Sequence, residues 1–245
     1  MVATFISSYL RYQLHNAEKS LFDLQANPAI TCKSSSSNWI IPNHIMCGAY
    51  PGMAHGLYAT SKEQALQNMK NILDDNIDTF VCLQSEILPV DDPYFCSNTF
   101  ESYAQLIKDH KLESKTGNPI EYRHFPVHDQ SVPIQYMFLE HMASLITDIT
   151  NGRKVFIHCA GGHGRTGIYV ACLLMVLYPA SPPENILRFV QYMHDKRAVY
   201  QITHVPSHDH CILPPQSPNT TEQRDFVLSF AKFFSFVHSC YNDKP

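Results

Sequence analysis

The sequence predicts an α/β fold, with a central, mostly parallel sheet flanked by helices on both faces. Three observations support this class. Short runs of β-branched and aromatic residues at 78–83, 121–125 and 154–158 are typical of buried strands. Longer segments with apolar residues at helical spacing separate these runs. The length of 245 residues fits one large domain with a substantial core. Strands that alternate with helices favour parallel pairing, because parallel neighbours need a crossover connection.

The start of the chain is expected to lie outside this domain. We predict an N-terminal helical arm and Ser-rich joint over residues 1–33, and the main domain over 34–245. The serine run from Ser34 to Ser37 predicts flexibility at the joint. Residues 1–16 lack a basic segment followed by a long apolar one, so no signal peptide is expected.

The first half of the domain contains four predicted elements. Residues 39–50 are expected to form a strand or hairpin. A helix should begin at Ser61, because Gln64 completes the spacing of a capping box. The strand at 78–83 follows, and Ser97 is expected to cap a helix that extends to about residue 109.

The second half continues the alternation. After the strand at 121–125, apolar residues recur at helical spacing from 138 to 149. The strand at 154–158 leads into residues 168–178, which are apolar on every side and therefore predict a buried helix. Ser181, followed by two prolines, opens another helix, and residues 221–237 form the last one.

Between these last two helices, residues 200–218 are rich in histidine and proline. They contain a cluster formed by His204, His208, His210 and Cys211. The spacing matches no standard zinc pattern, so we interpret the segment as a solvated loop and expect no metal.

Composition narrows the possible partners. A net charge of −4 and a pI of about 6.4 give no global basic field, so nucleic acid is not an expected partner. The eight cysteines show no compact disulfide framework, which indicates reduced thiols. The longest apolar stretch, 167–180, is shorter than the roughly 20 residues that span a bilayer. We therefore expect no transmembrane segment and a cytoplasmic or nuclear protein, of unknown oligomeric state.

A glycine-rich loop joins the strand that ends at His158 to the buried helix. Glycines allow backbone N–H groups to converge on one point, and the helix amino terminus adds a positive dipole end. The segment therefore predicts an anion cradle. Its phosphate-binding residues are expected to be Ala160, Gly161, Gly162, His163, Gly164, Arg165 and Thr166.

Two residues convert such a cradle into a catalyst. Cys159 enters the loop where inward N–H groups and Arg165 would stabilise a thiolate. Arg165 can fork onto two phosphate oxygens, and Thr166 can donate its hydroxyl to the sulfur. The alternative is a buried structural cysteine in an ordinary turn. A nucleotide-binding P-loop is excluded, because it needs glycine in place of Cys159 and lysine in place of Arg165.

The run His158-Cys159, five residues, then Arg165-Thr166-Gly167 resembles the signature of the protein tyrosine phosphatase superfamily. The surroundings are similar to its dual-specificity branch. The resemblance implies a fold of the cysteine-phosphatase type, a phosphatase catalytic domain over 34–245, and phosphomonoester hydrolysis through a cysteinyl-phosphate intermediate. It implies no metal or other cofactor. The expected substrate is a phosphorylated protein. The alternatives are a phosphoinositide or inositol phosphate, and a non-catalytic phosphate-binding module.

The same resemblance implies a general acid about 30 residues before the cysteine, on a loop after a strand. Asp129 stands 30 residues before Cys159 and follows the strand at 121–125. It would protonate the leaving oxygen and then deprotonate the attacking water. His128 is the rival donor, and a loop aspartate without a role is the remaining alternative. The Trp-Pro-Asp motif of the larger branch is not present.

Three further expectations concern the surroundings of the loop. His158 is expected to form hydrogen bonds behind the nucleophile rather than to act as an acid or base. His163 either carries positive charge at the rim, which would favour a multiply charged substrate, or points to solvent. Cys82 is a candidate to form a protective disulfide with Cys159 under oxidation.

A polar segment before the last helix resembles one that positions the hydrolytic water in some relatives. Gln216, Asn219 and Gln223 are equal candidates for that role. Thr220 and Gln223 also have the spacing of a helix cap.

Overall fold

The computed structural model describes residues 32–34, 36–197 and 216–242. Six strands form one sheet in the spatial order first, second, third, sixth, fourth and fifth. They are β1 (Cys32–Ser34), β2 (Ser37–Ile41), β3 (Ile45–Gly48), β4 (Thr79–Gln84), β5 (Glu121–Val127) and β6 (Val155–His158). Strands β3, β6, β4 and β5 are parallel, and β1 and β2 extend the sheet in antiparallel pairing. The predicted mostly parallel sheet is confirmed.

Six α-helices and one short 3-10 turn, Gly56–Tyr58, accompany the sheet in the described segments. The helices are α1 (Lys62–Asp74), α2 (Tyr103–Asp109), α3 (Gln135–Thr150), α4 (Gly164–Leu177), α5 (Pro183–Asp195) and α6 (Thr221–Asn242). Each helix in these segments is too short or too polar to cross a membrane.

The helices cover both faces of the sheet, as predicted. On one face α1 and α2 pack through Met69, Tyr103 and Ile107. On the other face α3, α5 and α6 surround α4, and every residue of α4 is buried. This enclosure explains why the sequence of α4 is apolar on all sides. It also fixes the amino end of α4 against the carboxyl end of β6.

Two predicted helix boundaries were wrong. Ser97 does not cap α2: its hydroxyl accepts hydrogen bonds from the N–H groups of Thr99 and Phe100, which closes a local turn. Ser102 caps the helix instead, through the N–H of Gln105. Helix α4 begins at Gly164 rather than at 168, because the glycine-rich loop passes directly into the first helical turn.

The serine run was interpreted as a flexible joint, but its first and last residues lie in strands. Ser34 ends β1 and Ser37 begins β2, where Ser37 is buried. Ser34 and Ser37 are partners in the antiparallel pairing of β1 and β2. The boundary between an arm at 1–33 and a domain at 34–245 stays a prediction.

Other expectations concern residues outside the described segments. The predicted helical arm before residue 32 is one of them, and the histidine cluster of 200–218 is another. Within the described residues, no three His, Cys, Asp or Glu side chains lie close enough to share a metal ion.

Candidate active site

The glycine-rich loop lies at the carboxyl end of β6, between the ends of β3 and β4. Ligand sites of parallel sheets are found at this edge. Gly162 has a φ of +77°, and a Cβ atom there would lie 2.4 Å from the carbonyl carbon of Gly48. Only glycine satisfies both the backbone conformation and this close approach. The end of β3 therefore supports the loop from below.

Cys159 is only 3% exposed, and its sulfur accepts two hydrogen bonds, one from the loop and one from the first turn of α4. The N–H of Gly162 lies 3.3 Å from Sγ, and the hydroxyl of Thr166 lies 3.2 Å from it. The loop and the first turn of α4 therefore direct two hydrogen-bond donors at this sulfur.

Arg165 is 1% exposed and reaches the same site from the first turn of α4. Its two terminal nitrogens donate to the carboxylate of Glu86 at 2.6 and 3.0 Å, and Nη1 also donates to the carbonyl of Val127. Burial lowers the pKa of Arg165, but the hydrogen bonds with Glu86 and the nearby negative charges outweigh burial and raise it. Its Nε atom is buried without a hydrogen-bond partner among the described residues.

Glu86 is a functional candidate that the sequence did not indicate. It stands two residues beyond β4, so its carboxylate lies at the same sheet edge as the loop. Burial opposes its ionisation, but the hydrogen bonds and charge of Arg165 lower the pKa of Glu86 overall. The one feature of the sequence that could have indicated Glu86 is its position just after a strand of the parallel sheet. Nothing in the sequence indicates that it pairs with Arg165.

Asp129 is the second carboxylate that contacts the guanidinium of Arg165. Its Oδ1 atom is 3.0 Å from Nη2 of Arg165, and its side chain is 61% exposed. Asp129, Arg165 and Cys159 all line one cavity of about 100 Å³. The structure therefore brings together the residues predicted as nucleophile, phosphate clamp and acid. The described residues that line the cavity are Tyr58, Asp129, Gln130, Cys159, Gly161, His163, Gly164, Arg165, Asn219 and Gln223.

His128, the rival acid, is placed differently. Its Nδ1 atom lies 3.1 Å from the hydroxyl of Ser85, and it is not among the residues that line the cavity. This geometry favours Asp129 as the donor that faces the cradle.

His158 is completely buried beneath the loop. Its Nε2 atom lies 2.9 Å from the hydroxyl of Tyr103, and its Nδ1 atom lies 3.4 Å from the carbonyl of Cys159. Burial lowers its pKa to about 3, so the ring is neutral near neutral pH. This neutral ring fits the predicted role as a hydrogen-bonding group.

His163 does not fit either of its two predicted descriptions. The ring is half-buried and folds over Gly161, where an added Cβ would lie 2.3 Å from Cε1. Burial, followed by the charge of Arg197, lowers its pKa to about 4. His163 is therefore neutral near pH 7, and it is not a cationic rim group.

The segment before α6 connects the acid loop to the helix. The side chain of Gln223 accepts from the N–H groups of Asn219 and Thr220, and its amide nitrogen donates to the carbonyl of Ser131. The hydroxyl of Thr220 accepts from the N–H of Gln223, which completes the expected helix cap. The side-chain amide of Gln223 thus already forms three hydrogen bonds with the protein itself. Asn219 also lines the cavity, whereas Gln216 is exposed and does not.

Cys82 is buried on β4, opposite His158 in the register of β4 and β6. Burial raises the pKa of its thiol to about 12, which makes it a poor nucleophile. Its disulfide with Cys159 stays a prediction. Cys82 and Cys159 are both free thiols in this structure, as are Cys47, Cys96 and Cys172.

Comparisons with known proteins agree with this site. Residues 34–227 match the family PTP-SAK, described as a Swiss Army Knife protein with a DSP-PTPase phosphatase domain. The chain is also 40% identical over 73 residues to protein 197R of Invertebrate iridescent virus 6, named as a candidate tyrosine phosphatase. It is 34% identical over 79 residues to cyclin-dependent kinase inhibitor 3 of Homo sapiens.

These relatives are matched only in part. The match covers 28% of this chain and 27% of the viral protein, and 32% of this chain and 37% of the human one. The chain therefore spans about a third of the length of the curated relatives that it matches. The similarity to these two relatives concerns the matched segment only.

Solved structures show the same fold at low sequence identity. A mutant form of Tk-PTP aligns with a TM-score of 0.51 at 18% identity, and covers 82% of this chain and 97% of that one. Kinase associated phosphatase, with its catalytic-site cysteine replaced by serine, aligns with a TM-score of 0.50 at 18% identity, covering 78% and 87%.

The ion pair between Glu86 and Arg165 leads to a first prediction. Replacing Glu86 by alanine leaves a buried guanidinium without its main carboxylate, so we expect the free energy of unfolding to fall by about 1–3 kcal/mol. Urea denaturation measures this. Glu101→Ala is the control, because Glu101 pairs with His55 in solvent and its loss should cost less than about 1 kcal/mol. Equal losses in both variants would contradict the argument.

The buried His158 predicts how stability depends on pH. The unfolded chain takes up a proton near pH 6.5, whereas folded His158 takes it up only near pH 3. Between these values unfolding binds a proton, so stability falls as pH falls, by about 1.4 kcal/mol per pH unit for this group. Below pH 3 the contribution is constant.

Urea unfolding at pH 7, 6 and 5 measures that slope. His158→Gln should flatten it by about one proton, while Tyr103→Phe, which removes the partner and keeps the ring, should preserve it. A slope unchanged by His158→Gln would show that this histidine does not bind the proton on unfolding.

Proposed function

We propose that this chain, which belongs to the PTP-SAK family of DSP-PTPase phosphatase domains, hydrolyses phosphomonoesters through a covalent intermediate on Cys159. One observation carries the proposal. A buried sulfur that accepts hydrogen bonds from Gly162 and Thr166 opens onto the cavity that also holds Arg165 and Asp129. The related phosphatase whose catalytic-site cysteine was replaced by serine supports cysteine chemistry on this fold.

In the first step the thiolate of Cys159 attacks phosphorus. A sulfur–phosphorus bond forms and the bond from phosphorus to the leaving oxygen breaks. Asp129 in its protonated form gives its proton to that oxygen, so that an alcohol or phenol departs. Arg165 and the loop N–H groups hold the remaining phosphate oxygens throughout. The Nε atom of Arg165, which has no partner among the described residues, is the donor available to them.

In the second step a water molecule attacks the phosphorus of the cysteinyl phosphate. The carboxylate of Asp129 takes one proton from the water, and the sulfur–phosphorus bond breaks. Inorganic phosphate forms and the thiolate is restored. The hydroxyl of Thr166, 3.2 Å from the sulfur, stabilises the departing thiolate. The cycle consumes one water per ester and leaves Asp129 protonated for the next turnover.

The cavity favours a substrate with a single phosphate group. Arg165 is the one permanently cationic side chain among the described lining residues, and the low pKa of His163 leaves its ring neutral. A polyphosphorylated inositol would need further positive charge at the rim. A phosphoinositide is therefore the second candidate substrate, after a phosphorylated protein.

Tyr58 favours an aromatic ester. It forms part of the cavity wall from the 3-10 turn Gly56–Tyr58, and its ring packs 5.6 Å from that of Phe100. An aromatic side chain at the mouth can stack on the ring of a phosphotyrosine. We therefore assign phosphotyrosine in a protein as the substrate class. The sequence did not single out Tyr58, because it stands about 100 residues before Cys159.

Hydrolysis of aryl phosphates in a chelator tests the mechanism. We expect the wild type to turn over p-nitrophenyl phosphate and Cys159→Ser to be inactive. Asp129→Ala should lose about 10²–10⁴-fold in rate toward phenyl phosphate, whose leaving group needs a proton, and less toward p-nitrophenyl phosphate. Equal losses for the two esters would remove Asp129 as the acid.

Cys172→Ala is the matched control, since Cys172 is another fully buried cysteine, inside α4 and away from the cavity. It should retain activity. A wild type that binds tungstate but hydrolyses neither ester would favour the non-catalytic phosphate-binding module.

The aromatic wall makes a separate prediction about specificity. Tyr58→Ala should lower kcat/KM for a phosphotyrosine peptide by about three- to tenfold, which is the worth of one aromatic contact. A phosphoserine peptide of the same sequence should be affected less than twofold. Leu57→Ala, at an exposed neighbour, should change neither value. Equal effects on both peptides would show that Tyr58 does not contact the substrate ring.

A further inference from the structure

Arg197, two residues beyond α5, lies behind the glycine-rich loop and is only 2% exposed. Its guanidinium makes three contacts. Nη1 donates to the carbonyl of Gly162 at 2.8 Å, Nε donates to Oδ1 of Asn38 at 2.6 Å, and Nη2 lies 3.2 Å from the sulfur of Cys47. The side chain thus joins β2 and β3 to the loop.

The partners of Arg197 are unusual for a buried cation. Of the two arginines that are almost completely buried in the described residues, Arg165 pairs with Glu86. Among those same residues no carboxylate forms an ion pair with Arg197. A buried charge without a counter-ion is costly. Stability alone is therefore a poor reason to keep an arginine at this position.

The bond to Gly162 has a geometric consequence on the other side of the loop. The peptide between Gly162 and His163 is trans, so its C=O and N–H point in opposite directions. Its carbonyl points back to Arg197. The N–H of His163 consequently points away from Arg197. Arg197 lines a small internal space with Cys47 and Val190 and does not line the cavity that contains Cys159.

We propose that Arg197 is a positioning residue that fixes the Gly162–His163 peptide with its N–H directed at the phosphate oxygens. The inference rests on the proposed function, since it names a group that prepares the same cradle. Arg197 does not touch the substrate. It fixes the donor from behind, and its positive charge polarises the peptide and strengthens that N–H as a donor.

The forked shape of the guanidinium matters to this role. Asn38 and Cys47 hold two of its nitrogens, so the third is aimed at the Gly162 carbonyl in one direction. A lysine at this position keeps the charge, but its compact ammonium lacks the rigid planar fork that reaches all three partners in fixed directions. The two properties, charge and direction, can therefore be separated by substitution.

One peptide can be observed directly, because Gly162–His163 is the only Gly-His pair in the 245 residues. Protein labelled with ¹³C at glycine carbonyls and ¹⁵N at histidine gives a single cross peak in an HNCO spectrum. Tungstate, a tetrahedral oxyanion that fits a phosphate site, is the probe. In the wild type we expect saturating tungstate to move the amide proton of this peak downfield, because the N–H then donates to the anion.

In Arg197→Met we expect that downfield shift to be lost or strongly reduced, with kcat/KM for p-nitrophenyl phosphate lower by about tenfold or more. Arg197→Lys should retain part of the shift and part of the activity. A wild-type response and wild-type kcat/KM in Arg197→Met would overturn the proposal.

Arg153→Met is the matched control. Arg153 is also largely buried, but it donates to Thr79 and to the carbonyl of Pro119 at the opposite end of the sheet. Its loss should lower stability and leave the tungstate-induced shift intact. If Arg153→Met abolishes the shift as Arg197→Met does, the effect is general destabilisation and the proposal fails.

The outcomes separate this inference from the function on which it rests. If Arg197→Met does not fold, Arg197→Lys and Asn38→Ala are compared instead. Asn38→Ala removes the acceptor of the Arg197 Nε atom. Tungstate-induced shifts equal to those of the wild type in both variants would overturn the inference. If the wild type itself neither binds tungstate nor hydrolyses the ester, the proposed function has failed. If it does both and the variants match it, only the role of Arg197 has failed.

Discussion

The buried guanidinium of Arg165 is the constraint around which the rest of the site is arranged. A cation that is 1% exposed needs charge and hydrogen-bond acceptors within reach. The ends of two strands supply them: Glu86 after β4, and the Val127 carbonyl and Asp129 at and just beyond the end of β5. Helix α4 can present Arg165 to all three only because its remaining residues are enclosed by other helices and the sheet. The packing around α4 therefore fixes the position of Arg165 at the edge of the sheet.

Residues that do not bind the phosphate also hold the cradle in place. Gly162 leaves no room for a side chain above Gly48, and its N–H donates to Cys159. Gln223 joins α6 to the loop that carries Asp129, through the carbonyl of Ser131. The acid loop and the nucleophile loop are thus held by different parts of the chain. Substitutions in either support would therefore alter the geometry of the cradle.

The sequence predicted the local parts of this arrangement well. Strand, glycine loop and buried helix are consecutive, so hydrophobicity and glycine spacing were enough to identify them, and the family resemblance added Asp129. Contacts between distant segments were out of reach. Glu86 stands 79 residues before its partner Arg165, and Asn38 stands 159 residues before Arg197. The errors at Ser97 and at the serine run have the same origin, because a hydroxyl that closes a turn or lies in a strand has the same local sequence as one that caps a helix or joins two domains.

The contact between Asp129 and Arg165 places a negatively charged group of the protein itself beside the cradle. The carboxylate contacts Nη2 of the arginine beside the cavity, so an entering anion competes with it for the same positive charge. Asp129 is 61% exposed, which limits the worth of the pair to about 1 kcal/mol. A monoanion such as chloride gains little from the exchange, whereas a phosphate dianion gains much more. The site consequently discriminates by charge before any chemistry begins.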